Sequence, residues 1–146
     1  MEADLLPVYK ASFEKANPGI AIQWVRDSTG VITAKLLLEK HNPLANVVRG
    51  TAATSLRMLE AEGMLEPYAP DGVTALDRRF RDADADPYLV GTNAWSAALC
   101  VNTIEMEKAG VPIPTSWADL TKPEYQGMIV MPNPASSGTG FLDVSS

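Results

Sequence analysis

The segment 132–140, which reads PNPASSGTG, carries side chains suited to binding an anion. It follows the apolar run 128–131, a pattern typical of a strand leaving a sheet. The hydroxyls and glycines then predict a helix N-terminus, where N–H groups lack carbonyl partners and carry partial positive charge. Such a terminus can hold a phosphate, phosphonate or carboxylate through Ser136, Ser137 and Thr139 without any Lys or Arg. An ordinary strand–turn–helix with a serine cap fits the same pattern.

Two earlier turns have the same character. The segment 20–25 alternates like a strand, and Asp27-Ser28-Thr29-Gly30 then opens a helical run. The short apolar segment 46–50 is followed by Thr51-Ala52-Ala53-Thr54-Ser55, which leads into another helix. If the strands are parallel, all three turns lie at one edge of the sheet, where ligands of open α/β folds bind.

The elements that must position these turns alternate between helix and strand, which favours a parallel sheet in an α/β fold. Helical spacing and stop signals predict helices over 5–16, 29–40 and 52–62, with a short helix near Leu76 and another after the capping pattern at 115–119. Apolar runs predict strands over 20–25, 47–48, 88–90, 94–102 and 128–131. The strand 94–102 is apolar on both faces, as expected of a central strand.

Composition narrows the function class. The 146 residues are 46% hydrophobic and 21% charged, which is typical of a globular protein. Twelve Lys and Arg against 18 Asp and Glu give a net charge of −6, so we expect no nucleic-acid partner and no anionic-membrane surface. Residues 1–4 lack a basic-then-apolar leader, so we expect no signal peptide in this sequence, and a single Cys excludes an internal disulfide.

An acidic loop and a Cys/His pair are weaker candidates for chemistry. The spacing of three acidic residues resembles the start of a calcium-binding loop: Asp82, Asp84 and Asp86. However, Pro87 stands where such a loop has its glycine, and Asn93 stands where it has its bidentate Glu. A solvated acidic loop is therefore favoured over a calcium site.

Cys100 lies in an apolar strand, so a buried packing residue is favoured over a catalytic nucleophile. His41 ends a helix, so a cation at the helix end is favoured over a general base. No zinc spacing, Walker lysine or dinucleotide glycine pattern is present, and we expect no catalytic residues, metal or cofactor.

Three further side chains have two interpretations each. Trp95 is either a core residue of its strand or packs on a ligand at the edge of a cleft, and Tyr68 has the same ambiguity. Arg49 closes a short apolar strand. It either extends its charge to the surface or meets an anion beside Thr51 and Thr54.

Taken together, these segments resemble the amino-terminal half of an extracellular solute-binding protein of an ABC importer. The type is the ferric-iron and phosphonate-binding one, nearest to 2-aminoethylphosphonate binders. The resemblance is carried by FEKANP at 13–18, DSTG at 27–30, AATSL at 52–56, LEPY at 65–68, TSWADL at 115–120 and PNPASSGTG at 132–140. It implies a type II periplasmic-binding-protein-like α/β fold, in which two lobes joined by crossover strands clamp a ligand.

The resemblance also implies site residues, partners and a location. It implies a small-molecule anion as ligand, an ABC transporter permease as partner, and a periplasmic or extracellular location. The implied ligand contacts are Ser28, Thr29, Gly30, Ala53 and Thr54 on the first lobe, Trp95 near the hinge strand, and Ser136, Ser137, Gly138 and Thr139 on the second lobe.

The sequence departs from the family pattern in ways that set the expected domains. We expect a truncated fold: 1–92 as a partial lobe one without its first strand, 93–102 as the hinge or crossover strand, and 103–146 as the start of lobe two. Asn46 and Arg49 stand where an Asp and an aromatic residue are expected. Exposed sheet edges and apolar faces would favour a homo-oligomer formed by strand exchange.

Several functions compete. The leading hypothesis is a binding protein for a phosphonate or phosphate-like anion, with 2-aminoethylphosphonate as the favoured ligand. Asp27 and Trp95 are the candidates for contacting the amino group of that ligand. A ferric-iron-binding protein is an alternative, although Tyr9, Tyr68, Tyr88 and Tyr125 are scattered along the chain. An oligomeric remnant without ligand binding is a second alternative, and a phosphoryl-transfer enzyme a third, although it lacks an evident base or metal.

Overall fold

The computed structural model describes residues 4–84 and 86–145 and divides into two compact units, Met1–Thr92 and Asn93–Ser146. The division falls where the hinge strand was expected to begin, and the assignment of the units to lobes stays a prediction. Unit 1 contains α1 (Leu5–Ala16), α2 (Thr29–Leu38), α3 (Ala53–Ala61) and the 3₁₀ turns Val73–Ala75 and Arg78–Phe80. Unit 2 contains α4 (Thr103–Ala109), α5 (Gly138–Ser145) and the 3₁₀ turns Trp117–Thr121 and Pro123–Tyr125.

The helices of unit 1 form where their spacing and stop signals predict them. At the end of α1, Asn17 donates both its backbone N–H and its side-chain amide to the Phe13 carbonyl at 2.9 Å. Gly19 then takes a φ of 96°, a left-handed conformation that turns the chain away from the helix. Helix α2 packs against α3, and Leu59 of α3, only 2% exposed, forms the core of the unit.

The described residues do not form the predicted parallel sheet. None of the five predicted strands forms there, and an isolated antiparallel bridge between Arg81 and Val90 is the β-pairing they contain. Within 20–25, the N–H of Ile22 donates to Glu14 at 2.7 Å and the Ile22 carbonyl accepts from Lys10, both on α1. Side chains therefore occupy backbone groups that a neighbouring strand would need.

Unit 2 begins with a segment and a helix that differ from expectation. The segment 94–102 is not a strand, Trp95 is 44% exposed, and Cys100 is exposed rather than a buried packing residue. Helix α4, which was not predicted, starts where the Asn102 side chain accepts the Glu105 N–H at 3.2 Å and ends at Gly110 with a φ of 66°. The cap and the glycine terminate a helix that has no buried residues, so its apolar pattern was weak.

The rest of unit 2 is organised by a capping box and a buried tyrosine. Ser116 accepts the Asp119 N–H at 3.3 Å, and the Asp119 carboxylate accepts the Ser116 N–H at 3.0 Å, as the capping pattern predicts. Tyr125 is 2% exposed and donates its hydroxyl to the Pro112 carbonyl at 2.9 Å. Among the described residues, no helix is long and apolar enough to cross a bilayer.

Candidate anion-binding site

Helix α5 begins with a serine cap. The Ser137 carbonyl accepts the Phe141 N–H at 2.9 Å, and the Ser137 hydroxyl oxygen accepts the Gly140 N–H at 3.3 Å. This satisfies one N–H of the first turn and leaves the Ser137 hydroxyl hydrogen available to donate. The helix N-terminus predicted after the proline-rich turn is therefore present, with Ser137 as its cap.

Asn133 organises the turn before this cap. Its side-chain oxygen accepts the Ala135 N–H at 2.9 Å, and its carbonyl accepts the N–H groups of Ser136 at 3.2 Å and Ser137 at 2.9 Å. The role of Asn133 was not foreseen, although an Asn between two prolines is a known signal for a side-chain-to-backbone turn.

Two N–H groups at the start of α5 are not used by the hydrogen bonds of the described residues. The N–H groups of Gly138 and Thr139 have no hydrogen-bond partner within the part of the chain that the structure describes. Thr139 is exposed, Ser136, Ser137 and Gly138 are half-buried, and the first turn holds no acidic side chain. The structure thus gathers the four predicted contacts of this segment into one turn whose dipole favours an anion.

Gly140 serves packing rather than ligand approach. It is buried, and a Cβ at this position would lie 2.4 Å from the Pro132 carbonyl oxygen and 3.1 Å from the Asn133 carbonyl carbon. Only a glycine lets the first turn of α5 lie this close to the backbone of the preceding turn.

Helix α2 offers a second N-terminus, in unit 1. Ser28 is its cap residue, with φ −68° and ψ 157°, and its carbonyl accepts the Ile32 N–H at 3.0 Å. The Ser28 hydroxyl makes no capping bond, while the Ser28 N–H donates to the Asp27 carboxylate at 2.7 Å. Thr29 and Gly30 are half-buried in the first turn. The Asp27 charge next to this terminus opposes an anion and suits a cationic group.

Helix α3 offers a third N-terminus, also in unit 1. Its cap residue, Ala52, has no side-chain oxygen, and its carbonyl accepts the N–H groups of Ser55 at 3.0 Å and Leu56 at 3.2 Å. The predicted contacts Ala53 and Thr54 are exposed in a first turn without an acidic side chain. Just before the cap, the Thr51 hydroxyl oxygen is buried and has no hydrogen-bond partner among the described residues.

Arg49 is exposed, which agrees with the interpretation that its charge extends to the surface, but it also makes a contact that neither interpretation included. Its guanidinium carbon lies 4.2 Å from the centre of the Tyr9 ring, a cation–π contact between the loop before α3 and helix α1. The contact joins residues forty positions apart, so no local pattern could have indicated it.

The acidic loop is tied to α3. Asp82 accepts from Arg57 at 2.5 Å and from the Tyr88 N–H at 3.0 Å, and its side chain is fully covered. Burial alone would raise the pKa of Asp82, but the Arg57 guanidinium and the Tyr88 and Asp84 N–H groups hold this pKa below its usual value. The described residues contain no group of three or more His, Cys, Asp or Glu that could hold a metal ion.

Comparisons with known proteins agree with the family indicated by the motifs. A family model described as "Bacterial extracellular solute-binding protein" matches residues 42–142. A "Probable ABC transporter periplasmic-binding protein y4fP" from Sinorhizobium fredii is 29% identical over 146 residues, covering 94% of this chain and 40% of the relative. An uncharacterised protein from Haemophilus influenzae is 28% identical over 130 residues, covering 87% of this chain and 38% of the relative.

Two solved structures are similar to this chain. The periplasmic binding protein AfuA from Actinobacillus pleuropneumoniae, with fructose-6-phosphate bound, has a TM-score of 0.77 at 27% identity, covering 94% of this chain and 44% of AfuA. The periplasmic binding protein P5PA has a TM-score of 0.79 at 25% identity, covering 97% of this chain and 45% of P5PA. The chain thus spans less than half the length of these relatives. It belongs to the bacterial extracellular solute-binding proteins, a family of binding proteins and not of enzymes.

Proposed function

We propose that this chain is part of the substrate-binding component of an ABC importer and binds a small solute that carries a phosphonate or phosphate group. It would act in the periplasm or outside the cell and deliver the solute to a permease. The family match supports the binding role, and the fructose-6-phosphate held by AfuA supports a phosphorus oxyanion as the ligand class.

The observation that carries the proposal is the first turn of α5. Asn133 and Ser137 use their oxygens to hold the neighbouring N–H groups, and those of Gly138 and Thr139 remain. Together with the Thr139 hydroxyl and the Ser137 hydroxyl hydrogen, these donors suit the several oxygens of a tetrahedral phosphorus group. Since the hydrogen bonds of the turn itself hold these donors in place, we expect binding to require little reordering of the turn.

In unit 1 the proposal assigns further contacts to Ser28, Thr29 and Gly30 on α2 and to Ala53 and Thr54 on α3. Within the ligand class, 2-aminoethylphosphonate is the solute that we favour. Its ammonium group needs an acidic or aromatic partner, for which Asp27 and the exposed Trp95 are the candidates.

Calorimetric titration with 2-aminoethylphosphonate, fructose-6-phosphate, inorganic phosphate and ferric citrate tests the proposal. We expect 2-aminoethylphosphonate to bind most tightly and ferric citrate not to bind. Thr139→Val, which removes an exposed hydroxyl but no capping bond, should weaken phosphonate binding by about 1.5–3 kcal/mol, or tenfold and more.

Ser145→Ala is the matched control, because it removes a hydroxyl at the opposite end of the same helix, where Ser145 donates to the Leu142 carbonyl. Affinity of the Thr139→Val protein equal to that of this control would contradict the assignment of α5. Binding of ferric iron without any phosphorus oxyanion would contradict the proposed ligand class.

A further inference from the structure

An ion-paired cluster links α3 to residues 82–84 and 86–91, which are defined here as the exit segment because they precede the last residue of unit 1. Arg57, in the second turn of α3, donates to both Asp82 oxygens, at 2.5 and 3.4 Å. It also pairs with Glu60 at 2.7 Å and lies 3.5 Å from Asp84. A bidentate bond to a fully covered carboxylate fixes both partners more firmly than an exposed ion pair does.

Asp82 in turn orders the exit segment. Its second oxygen accepts the Tyr88 N–H at 3.0 Å, so one carboxylate holds both the helix and the far side of the loop. Other bonds tie the segment to parts of unit 1 outside α3: the Pro87 carbonyl accepts the Tyr68 N–H at 2.8 Å, Val90 bridges Arg81, and the Gly91 N–H donates to the Phe80 carbonyl at 2.7 Å. Among the hydrogen bonds of the described residues, the ones to Asp82 thus connect the segment to α3. A Cβ on Gly91 would lie 2.8 Å from the Phe80 ring, so this end of the segment is closely packed.

Helix α3 itself is held loosely at its start. Its cap residue Ala52 supplies no side-chain bond, and its first turn has no acidic side chain. An uncapped first turn opens readily, because its N–H groups have no partner inside the helix. An anion at Ala53 and Thr54 would act as the missing cap. The turns of α3 that carry Arg57 would then open less often.

We propose that Arg57 is a positioning residue that makes α3 and the exit segment open and close as one unit, through Asp82. Ligand binding at the start of α3 therefore orders residues 86–91, thirty and more positions away in the sequence. The ligand-dependent part of this inference rests on the proposed function, whereas the linkage between Arg57 and the exit segment does not.

Amide hydrogen exchange followed by mass spectrometry tests both parts. Without ligand, Arg57→Gln should make peptides covering 86–91 exchange about tenfold faster. With saturating 2-aminoethylphosphonate, the wild-type protein should gain protection in both 53–61 and 86–91, and Arg57→Gln should gain it in 53–61 only. Arg79→Gln is the control, because it also removes an arginine ion pair but one that is confined to Asp77.

The outcomes separate the two proposals. Unchanged exchange of 86–91 in ligand-free Arg57→Gln would overturn the linkage. Protection of wild-type 53–61 without protection of 86–91 would overturn the coupling while leaving the proposed function intact. Absence of any ligand-induced protection in unit 1 would overturn both the ligand-dependent coupling and the proposed ligand contacts of unit 1. The exchange rates measured without ligand would still decide whether Arg57 links α3 to the exit segment.

Discussion

At the scale of single residues, the turn before α5 shows how three small residues divide one task. Asn133 and Ser137 hold N–H groups with their oxygens, and Gly140 provides the space that lets the helix lie against the turn. Each role follows from the chemistry of the residue: a side-chain amide oxygen, a hydroxyl and the lack of a Cβ. The turn depends on all three, although only Ser137 is among the predicted ligand contacts.

Gly140→Ala should therefore destabilise unit 2. The added Cβ would meet the Pro132 carbonyl oxygen at 2.4 Å, and a backbone atom cannot move aside as a side chain can. We expect a loss of about 1–3 kcal/mol in the free energy of unfolding, the usual cost of overpacking. Thermal unfolding followed by circular dichroism measures it, with Ser145→Ala in the same helix as control. Equal melting temperatures for the two variants would show that the close approach is absent.

At the scale of elements, the 3₁₀ turn Trp117–Thr121 is held by charge as well as by its cap. The Asp119 carboxylate accepts from Lys122 at 2.6 Å, from the Thr115 N–H at 2.9 Å and from the Thr115 hydroxyl at 3.0 Å. The Lys122 ammonium, followed by the Thr115 and Ser116 donors, lowers the pKa of Asp119 well below its usual value of 3.8. These bonds favour the ionised form, so folding and ionisation of Asp119 support each other.

The pH dependence of stability follows from the direction of that shift. Because the pKa of Asp119 is lower in the folded than in the unfolded chain, its contribution is complete above about pH 4 and lost as the pH falls further. Asp119→Asn should lower the melting temperature at pH 7 and flatten its decline between about pH 4 and 2. Glu107→Gln, which removes an exposed carboxylate of α4, is the control. A decline as steep in Asp119→Asn as in the control would contradict this role.

Elements whose signals are local could be predicted from the sequence. Apolar spacing and stop residues indicated α1, α2 and α3, and the Ser116 pattern indicated the turn that it caps. Helix α4 was missed because it is short and buries nothing, although Asn102 and Gly110 marked its ends. The strands were wrong because alternation reports which side chains could face a core, not whether a backbone partner exists.

The candidate site, like the secondary structure, was predictable only where its signals lie close together in the sequence. The hydroxyls and glycine of 136–139 could be recognised because they are consecutive and start a helix. The stacking of Arg49 on Tyr9 and the bond from Arg57 to Asp82 join distant parts of the chain, and neither has a local signal. The unpartnered Thr51 hydroxyl depends on the packing around it, which the sequence does not show.

At the scale of the whole molecule, little apolar surface is buried. Leu59 and Tyr125 are the large hydrophobic side chains that are buried among the described residues, each 2% exposed. Leu38 is 88% exposed and Val130 is 95% exposed, and many other large apolar side chains are exposed as well. Burial of such side chains is the main favourable contribution to folding and association, so we expect these exposed faces to favour association.

We therefore predict that the isolated chain forms dimers or larger assemblies at micromolar concentration, as expected from its exposed apolar faces. Light scattering coupled to size exclusion measures the mass. A double variant, Leu38→Gln with Val130→Thr, should shift the population toward smaller species, because each substitution replaces highly exposed apolar surface with a polar group. Arg78→Gln is the control, since it changes an exposed polar side chain and no apolar surface. A monomeric wild-type chain at tens of micromolar would refute the prediction, and equal masses for the double variant and the control would show that these two side chains do not drive association.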